Sequence, residues 1–239
     1  MYTKKAIVEV EKEVNLDQKS ILVFAPHPDD ETLGCGGTIA KRVREGYKVE
    51  ILFMTDGRNA LSEMFGIFSD PSPSELVEIR RRESIRATGI LGLKEDDLIF
   101  LGFTDGSLEK DKVPAQERVK ELIKDRSYSE IYFTSEKDFH PDHQATNSIV
   151  RNLMREFGSL CKSYRYIIHF NHITELAMAL KIDKRNLRYS NISEYLSLKR
   201  AALNEYTSQI SIMSSMQKKP VLDAIFLRKF IKNNETFFE

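Results

Sequence analysis

Residues 25 to 31, Ala25-Pro26-His27-Pro28-Asp29-Asp30-Glu31, place one imidazole and three carboxylates within five positions, directly behind the apolar run Ile21-Leu22-Val23-Phe24. A second cluster, His140-Pro141-Asp142-His143, follows Ile131-Tyr132-Phe133 more than a hundred residues later. A catalytic zinc site takes three protein ligands from His, Asp or Glu and keeps one position open. His27 and Asp30 form a close pair, and the third ligand would come from His140 to His143. Imidazole and carboxylate donors suit zinc, while oxygen-rich ligation also admits iron or manganese. Water on such an ion reaches a pKa of about 7, and the ion polarises a carbonyl, which together cleave amides or esters. Side chains of the neighbours Asp29 and Asp30 diverge in a turn. One can therefore ligate while the other stays free as a base, a role worth about 10² to 10⁴ in rate. In the second cluster one histidine can ligate. The other, held in its tautomer by Asp142, can donate to the tetrahedral intermediate or the leaving amine.

The elements that must carry these clusters alternate along the chain. Ile21 to Phe24 reads as a buried strand, Leu33 to Glu45 as a helix stopped at Gly46, and Val49 to Met54 as a second strand ending in a turn at Thr55-Asp56-Gly57. The stretch from Arg58 to Pro71 is a long loop, of the kind that covers sites. Ser72-Pro73-Ser74-Glu75 is a capping box with proline at the first helical position, so a helix starts at Pro73 and runs to about Leu91. Leu98 to Leu101, Glu130 to Thr134 and Tyr164 to Phe170 follow as strands. Pro114 to Lys124, roughly His143 to Phe157, and Ile192 to Gln209 follow as helices. Strands alternating with helices predict an α/β fold with a mainly parallel sheet covered on both faces. Ligands of such sheets bind beyond the carboxyl ends of the strands, where both clusters fall.

Length and composition narrow the partners. The chain has 239 residues, and a single domain over 1–239 is expected. Its 36 basic and 36 acidic residues balance to a formal net charge of zero, so there is no global basic field for nucleic acid. Cys35 and Cys161 are too few for a disulfide framework and lack zinc-finger spacing, which fits a reducing cytoplasm. No run of 18 apolar residues occurs and the N-terminal residues form no signal-like apolar stretch, so a soluble protein without a transmembrane segment is expected. Oligomeric state has no readable signal.

The motif set resembles the PIG-L or LmbE-type zinc-dependent de-N-acetylases, a family that includes deacetylases of N-acetylglucosaminyl-phosphatidylinositol and of mycothiol and bacillithiol synthesis. Ala25 to Glu31 matches the family hallmark and leads into Leu33-Gly34-Cys35-Gly36-Gly37. Further matches are Arg80 with Glu83, Ala87 and Leu91-Gly92; Leu101-Gly102-Phe103-Thr104-Asp105-Gly106; His140-Pro141-Asp142-His143; and Lys199 with Ala202, Tyr206 and Ser208-Gln209. The resemblance implies a Rossmann-like sheet, zinc (Zn2+) bound by His27, Asp30 and His143, and Asp29 as general base. It implies His140 as oxyanion stabiliser or acid, oriented by Asp142, and Arg80 and Asp105 near the sugar. The implied substrate is a small N-acetylated amino sugar, N-acetylglucosamine-like, as a soluble glycoside or linked to a nucleotide. An amidase acting on a larger sugar or thiol conjugate is the close variant.

Bland readings stand beside these. Asp29, Asp30 and Glu31 could be an acidic helix start favoured by the macrodipole, each worth about 0.3 to 1 kcal/mol. Gly34 to Gly37 superficially suggests a non-catalytic nucleotide-binding domain, but the full G-x-G-x-x-G spacing is missing and the preceding acids would repel a pyrophosphate. The glycines instead suit close helix packing. Cys35 reads as a small buried residue, and Arg80-Arg81-Arg82 as a solvated face with one side chain turned inward. His169 and His172 sit at a strand end and could line the pocket, although such histidines are more often structural. Lys199, Tyr206 and Gln209 read as helix packing.

Overall fold

The structure, a computed structural model, describes residues 19–157, 161–169 and 186–239. Five strands form the parallel part of the sheet: β1 (Ser20–Ala25), β2 (Lys48–Thr55), β3 (Leu98–Phe103), β4 (Glu130–Thr134) and β5 (Lys162–Tyr166). Two further strands, β6 (Leu187–Asn191) and β7 (Asn234–Phe238), pair antiparallel beyond β5, giving the order β3-β2-β1-β4-β5-β7-β6. The expected Rossmann-like, mainly parallel sheet is therefore present, with an antiparallel edge.

Every residue of β1 is buried, because alternate side chains feed two cores. Ile21, Val23 and Ala25 join the core beneath α1 (Asp30–Arg44), α3 (Pro73–Leu91) and α6 (Leu196–Asn204). Leu22 and Phe24 join the core beneath α4 (Lys112–Ile123) and α5 (Pro141–Glu156). From β1 the chain moves outward through β2 to β3, then returns to β4 on the other side of β1. The crevice at this reversal lies beyond the carboxyl ends of β1 and β4, the standard ligand position of open α/β sheets. The residues after β1 and after β4 are the two polar clusters.

Local differences from the sequence reading have physical causes. The helix after β1 starts at Asp30, three residues early, so the acidic residues Asp30 and Glu31 do occupy its first turn. Likewise α5 starts at Pro141 with His140 as N-cap. The capping box of α3 forms as read. The long loop contains a short helix, α2 (Ala60–Phe65), whose Leu61 packs with Ile67 and Leu76 in a small separate core. The expected helix from Ile192 to Gln209 is broken after Asn204, with α7 (Thr207–Ile210) as a separate turn. Glu83 holds that turn by accepting from Thr207 Oγ1, Ser208 N and Ser208 Oγ at 2.6 to 2.8 Å. The fifth strand ends at Tyr166 rather than Phe170, which lies outside the described residues together with His172. No helix among the described residues is long and apolar enough to cross a membrane.

The glycines of α1 serve close packing. A Cβ on Gly34 would overlap the Tyr166 ring, and one on Gly37 would overlap Ile192, so these positions are filled by protein and leave no phosphate cradle there. Between them, Cys35 departs from helical geometry (φ −141°, ψ 16°) and interrupts α1. Ordinarily the Gly37 N–H would bond the Leu33 carbonyl. Here Leu33 O accepts from Lys199 Nζ at 2.8 Å, and Gly37 N and Thr38 N donate to the Glu235 carboxylate at 2.9 and 2.8 Å. Lys199 and Glu235 are themselves 2.6 Å apart. A buried ion pair thus replaces the missing rung of the helix, and Lys199 does more than the packing expected of it. Truncating one partner leaves a buried charge unpaired, which costs about 3 to 5 kcal/mol. Urea unfolding of Lys199→Met is expected to show a loss of that size, against a far smaller loss for Arg81→Met, which removes an exposed pair with Glu95.

Candidate active site

Pro26 turns the chain out of β1, and Thr55 at the end of β2 secures it, its N and Oγ1 both donating to Pro26 O at 2.9 and 2.8 Å. Asp29 then adopts φ 122°, a region that side-chain-bearing residues rarely occupy. Three contacts hold it. Glu31 Oε2 accepts from Asp29 N at 3.1 Å, Arg80 Nη2 donates to Pro28 O, and the same nitrogen lies 3.1 Å from Asp29 Oδ2. Glu31 is fully buried, with its other oxygen accepting from the Tyr206 hydroxyl and from Thr32 Oγ1. Tyr206 is therefore a buried hydrogen-bond anchor as well as a packing residue.

The backbone turn sets three donor atoms face to face. His27 Nδ1 lies 3.1 Å from Asp30 Oδ2 and 3.2 Å from His143 Nε2, and Asp30 Oδ2 lies 3.1 Å from His143 Nε2. A tetrahedral ion with bonds of about 2.0 to 2.1 Å spaces its ligands about 3.3 Å apart, close to this triangle. The outer nitrogens face carboxylates. His27 Nε2 is 3.0 Å from Asp105 Oδ1 and 3.3 Å from Asp142 Oδ2, while His143 Nδ1 is 3.1 Å from Asp138 Oδ2, though off the ring's N–H direction. With protons on those outer nitrogens, the three inward-facing atoms offer lone pairs at the spacing a bound cation takes. Other His and Asp groupings around the same point also fall within ligand spacing. The donor set fits a divalent metal.

Electrostatics point the same way. Asp29, Asp30, Asp105, Asp138 and Asp142 are all at most 5 % exposed, with Arg80 as the buried arginine among them. Burial would raise the Asp30 carboxyl, but His143 and His27 outweigh it and hold it well below its ordinary value. Burial would lower His143, but Asp30 and Asp138 push it up to about 9. For Asp29 burial dominates over Arg80 and raises the carboxyl to about 8. Burial, with the neighbouring His27, lowers His140 to about 4. Burial likewise pushes the Cys35 thiol well up, which makes it inert, as its sequence context suggested.

His27, Asp29, Asp30, Arg80 and Asp105 line a cavity of about 350 Å³, within the range of small-molecule sites, with His143 fully buried behind them. His140 and His169 stand in its wall, their rings 5.5 Å apart. One expected contact needs correction, and two expected pocket residues line the cavity while carrying further contacts. The Asp142 carboxylate does not orient His140: it accepts from Gly106 N and Leu108 N at 2.7 and 3.0 Å and faces His27. The link to His140 is the Asp142 backbone N–H, which donates to His140 Nδ1 at 3.2 Å. Arg80 lines the cavity, but its guanidinium is engaged by Asp29, Pro28 O and Gly57 O, the last at 3.0 Å. Asp105 is likewise held by His27 Nε2 and by Asn59 N at 3.1 Å. Gln209, read as packing, reaches the cavity wall.

Asp138 was missed. It is fully buried and also accepts from His140 N, Ile168 N and His169 N at 2.8 to 3.1 Å, so one carboxylate ties both histidine-bearing segments together. Its position two residues before His140, in a loop that must orient a histidine ligand, was the available signal.

The fold and this donor set define an α/β enzyme with a metal-compatible centre at the switch point of its sheet. The family described as PIG-L, GlcNAc-PI de-N-acetylase, matches residues 22–154, and the chain belongs to it. The chain is 31 % identical over 198 residues to "Probable N-acetyl-alpha-D-glucosaminyl L-malate deacetylase 2" of Bacillus cereus, covering 82 % of this chain and 86 % of that protein. It is 36 % identical over 89 residues to diacetylchitobiose deacetylase of Thermococcus kodakarensis, covering 37 % of this chain and 32 % of that one. In three dimensions it is similar to N,N'-diacetylchitobiose deacetylase from Pyrococcus horikoshii, with a TM-score of 0.68 and 20 % identity over 95 % of this chain and 85 % of the other, a likeness of fold.

Carboxylates behind histidine ligands typically change metal affinity by about 10- to 100-fold. Asp138→Ala is expected to weaken binding of an added divalent metal by that factor in a chelator competition, with circular dichroism showing the fold retained.

Proposed function

We propose that the chain is a zinc-dependent amide hydrolase that removes the acetyl group from a small N-acetylated amino sugar. The observation that carries this reading is the 3.1 to 3.2 Å triangle of His27 Nδ1, Asp30 Oδ2 and His143 Nε2, at the edge of a cavity that His27, Asp30, Asp29 and His140 line. The named relatives, deacetylases of N-acetylglucosaminyl malate and of diacetylchitobiose, support the substrate class. His27, Asp30 and His143 would hold the ion. When bound, zinc acidifies water and polarises the amide carbonyl.

The remaining steps fall to side chains. Asp29 is the general base: Arg80 holds its Oδ2 at 3.1 Å and fixes the carboxylate, which takes the proton of the attacking water. Burial raises the Asp29 carboxyl, and the charge of Arg80, together with that of a metal held by His27, Asp30 and His143, would favour its ionised form for that task. His140 accepts the Asp142 N–H at Nδ1, and its lowered pKa keeps the ring neutral, so its proton sits on Nε2. That N–H donates to the oxyanion as the tetrahedral intermediate forms. Protonated Asp29 then returns its proton to the amide nitrogen as the C–N bond breaks, releasing acetate and a free amine. In this scheme Asp142 and Asp105 work through His27, holding its ring by Nε2. Arg80 works through Asp29.

Acetate release from N-acetylglucosamine derivatives tests the reading. Chelation is expected to abolish release and added zinc to restore it. Asp29→Asn should lose at least about 10²-fold in kcat while retaining its zinc by elemental analysis. Full activity in Asp29→Asn would overturn the base assignment. Removing one oxyanion donor typically costs about 10² to 10³ in kcat, so His140→Ala is expected to fall in that range with KM little changed.

A further inference from the structure

Of the two non-ligand histidines in the cavity wall, His140 has a part in hydrolysis and His169 has none so far. His169 lies just after β5, and its main chain is tied on both sides to the loop that carries His140. His169 N donates to Asp138 Oδ2 at 3.1 Å, and His169 O accepts from Phe139 N at 3.1 Å. Ile168 N donates to the same Asp138 oxygen at 2.8 Å, while Asp138 Oδ1 accepts from His140 N at 3.0 Å. One buried carboxylate therefore fixes the two histidines relative to each other. These bonds hold the segment by its backbone, and the ring faces the cavity, with Phe226 packed beside it at a centroid distance of 5.9 Å.

A ring nitrogen of His169 lies within 4.8 Å of ligand-type atoms of Asp30 and His143, and one of His140 lies within 4.8 Å of those of His27 and His143. The triangle of His27, Asp30 and His143 already supplies three ligands at 3.1 to 3.2 Å from one another. The two further imidazoles therefore flank the side on which a substrate oxygen approaches it. Two N–H donors that share one oxygen at about 2.9 Å each stand at most about 5.8 Å apart. The rings of His140 and His169, with centroids 5.5 Å apart, meet that condition. A neutral imidazole carries its proton on either nitrogen, and negative charge selects the tautomer whose N–H faces it. Such a bond to a charged oxygen is about twice as strong as one between neutral groups, and a donor already in place costs no reorganisation.

We propose that His169 is a second catalytic hydrogen-bond donor, which together with His140 holds the acetyl oxygen as the tetrahedral intermediate forms. The proposal rests on the deacetylase reading and adds a residue to its site. No proton leaves His169; its N–H stabilises the charge. Loss of one such donor costs about 10² to 10³ in kcat. The test measures acetate release from N-acetylglucosamine derivatives by zinc-loaded His169→Ala and His169→Gln, with zinc content by elemental analysis. His169→Ala is expected to lose that factor in kcat with KM little changed and zinc retained. His169→Gln, which restores an N–H, should recover at least about tenfold of the loss. Binding gives a readout apart from turnover. In calorimetry the methylphosphonamide of glucosamine, whose tetrahedral phosphorus carries a charged oxygen in place of the acetyl carbonyl, should bind His169→Ala at least about tenfold more weakly than the unsubstituted protein. Unchanged kcat in His169→Ala, a loss of zinc that accompanies the loss of activity, or equal affinity for the phosphonamide overturns the proposal. Should the unsubstituted protein release no acetate, the deacetylase reading itself fails, and the phosphonamide affinities decide the role of His169 separately. A tenfold gap supports the donor, and equal affinity or no binding overturns it.

Discussion

The crevice between β1 and β4 concentrates five buried aspartates around two histidines, and that unbalanced negative charge is the constraint on which the rest of the site depends. Buried carboxylates are tolerable only when paired, hydrogen-bonded or coordinated. Each one here has a partner that is also a positioning contact. Asp138 gathers backbone N–H groups from two loops, Asp142 caps the turn at Gly106 and Leu108, and Asp29 meets Arg80. What these contacts leave open is the inward-facing triangle of His27, Asp30 and His143, whose donor set fits a divalent ion.

Topology explains why two clusters so far apart in the chain meet. A parallel sheet carries all its strands in one direction, so the residues after β1 and after β4 emerge at the same end. Because β1 and β4 are neighbours in that sheet, the two loops touch. The unusual backbone at Asp29 belongs to the same design. Turning φ to 122° sends Asp29 and Asp30 to different sides, one to the cavity and one to the triangle, and the buried Glu31 and Arg80 hold the turn. Behind it, the Lys199–Glu235 pair bridges the interruption in α1, so the helix can bend under the site without stranding its backbone groups.

Much of this was legible from residue patterns. The apolar runs of β1, β2 and β4, the capping box at Ser72 and the position of both clusters at strand ends all follow from local rules, and the structure agrees with them. The splitting of the helix near Asn204 was not legible, since its cause is Glu83, more than a hundred residues away. The partners of Asp142 were misjudged for the same reason: its residue type fitted a dyad with His140, whereas its carboxylate meets Gly106, Leu108 and His27. Arg80 and Asp105 line the cavity as expected, but their contacts to Asp29 and His27 come from packing and were not legible.

By itself the chain determined the inventory: which residues can ligate, which strand each cluster follows, and that the fold is an α/β sheet. Periodicity and short-range motifs encode these properties within a few residues, so no tertiary knowledge is needed to read them. Only the tertiary structure decided which carboxylate serves which histidine and that Asp138 stands behind His143. Those assignments turn on separations of about 3 Å between atoms on different elements, and spacing along a chain does not specify them.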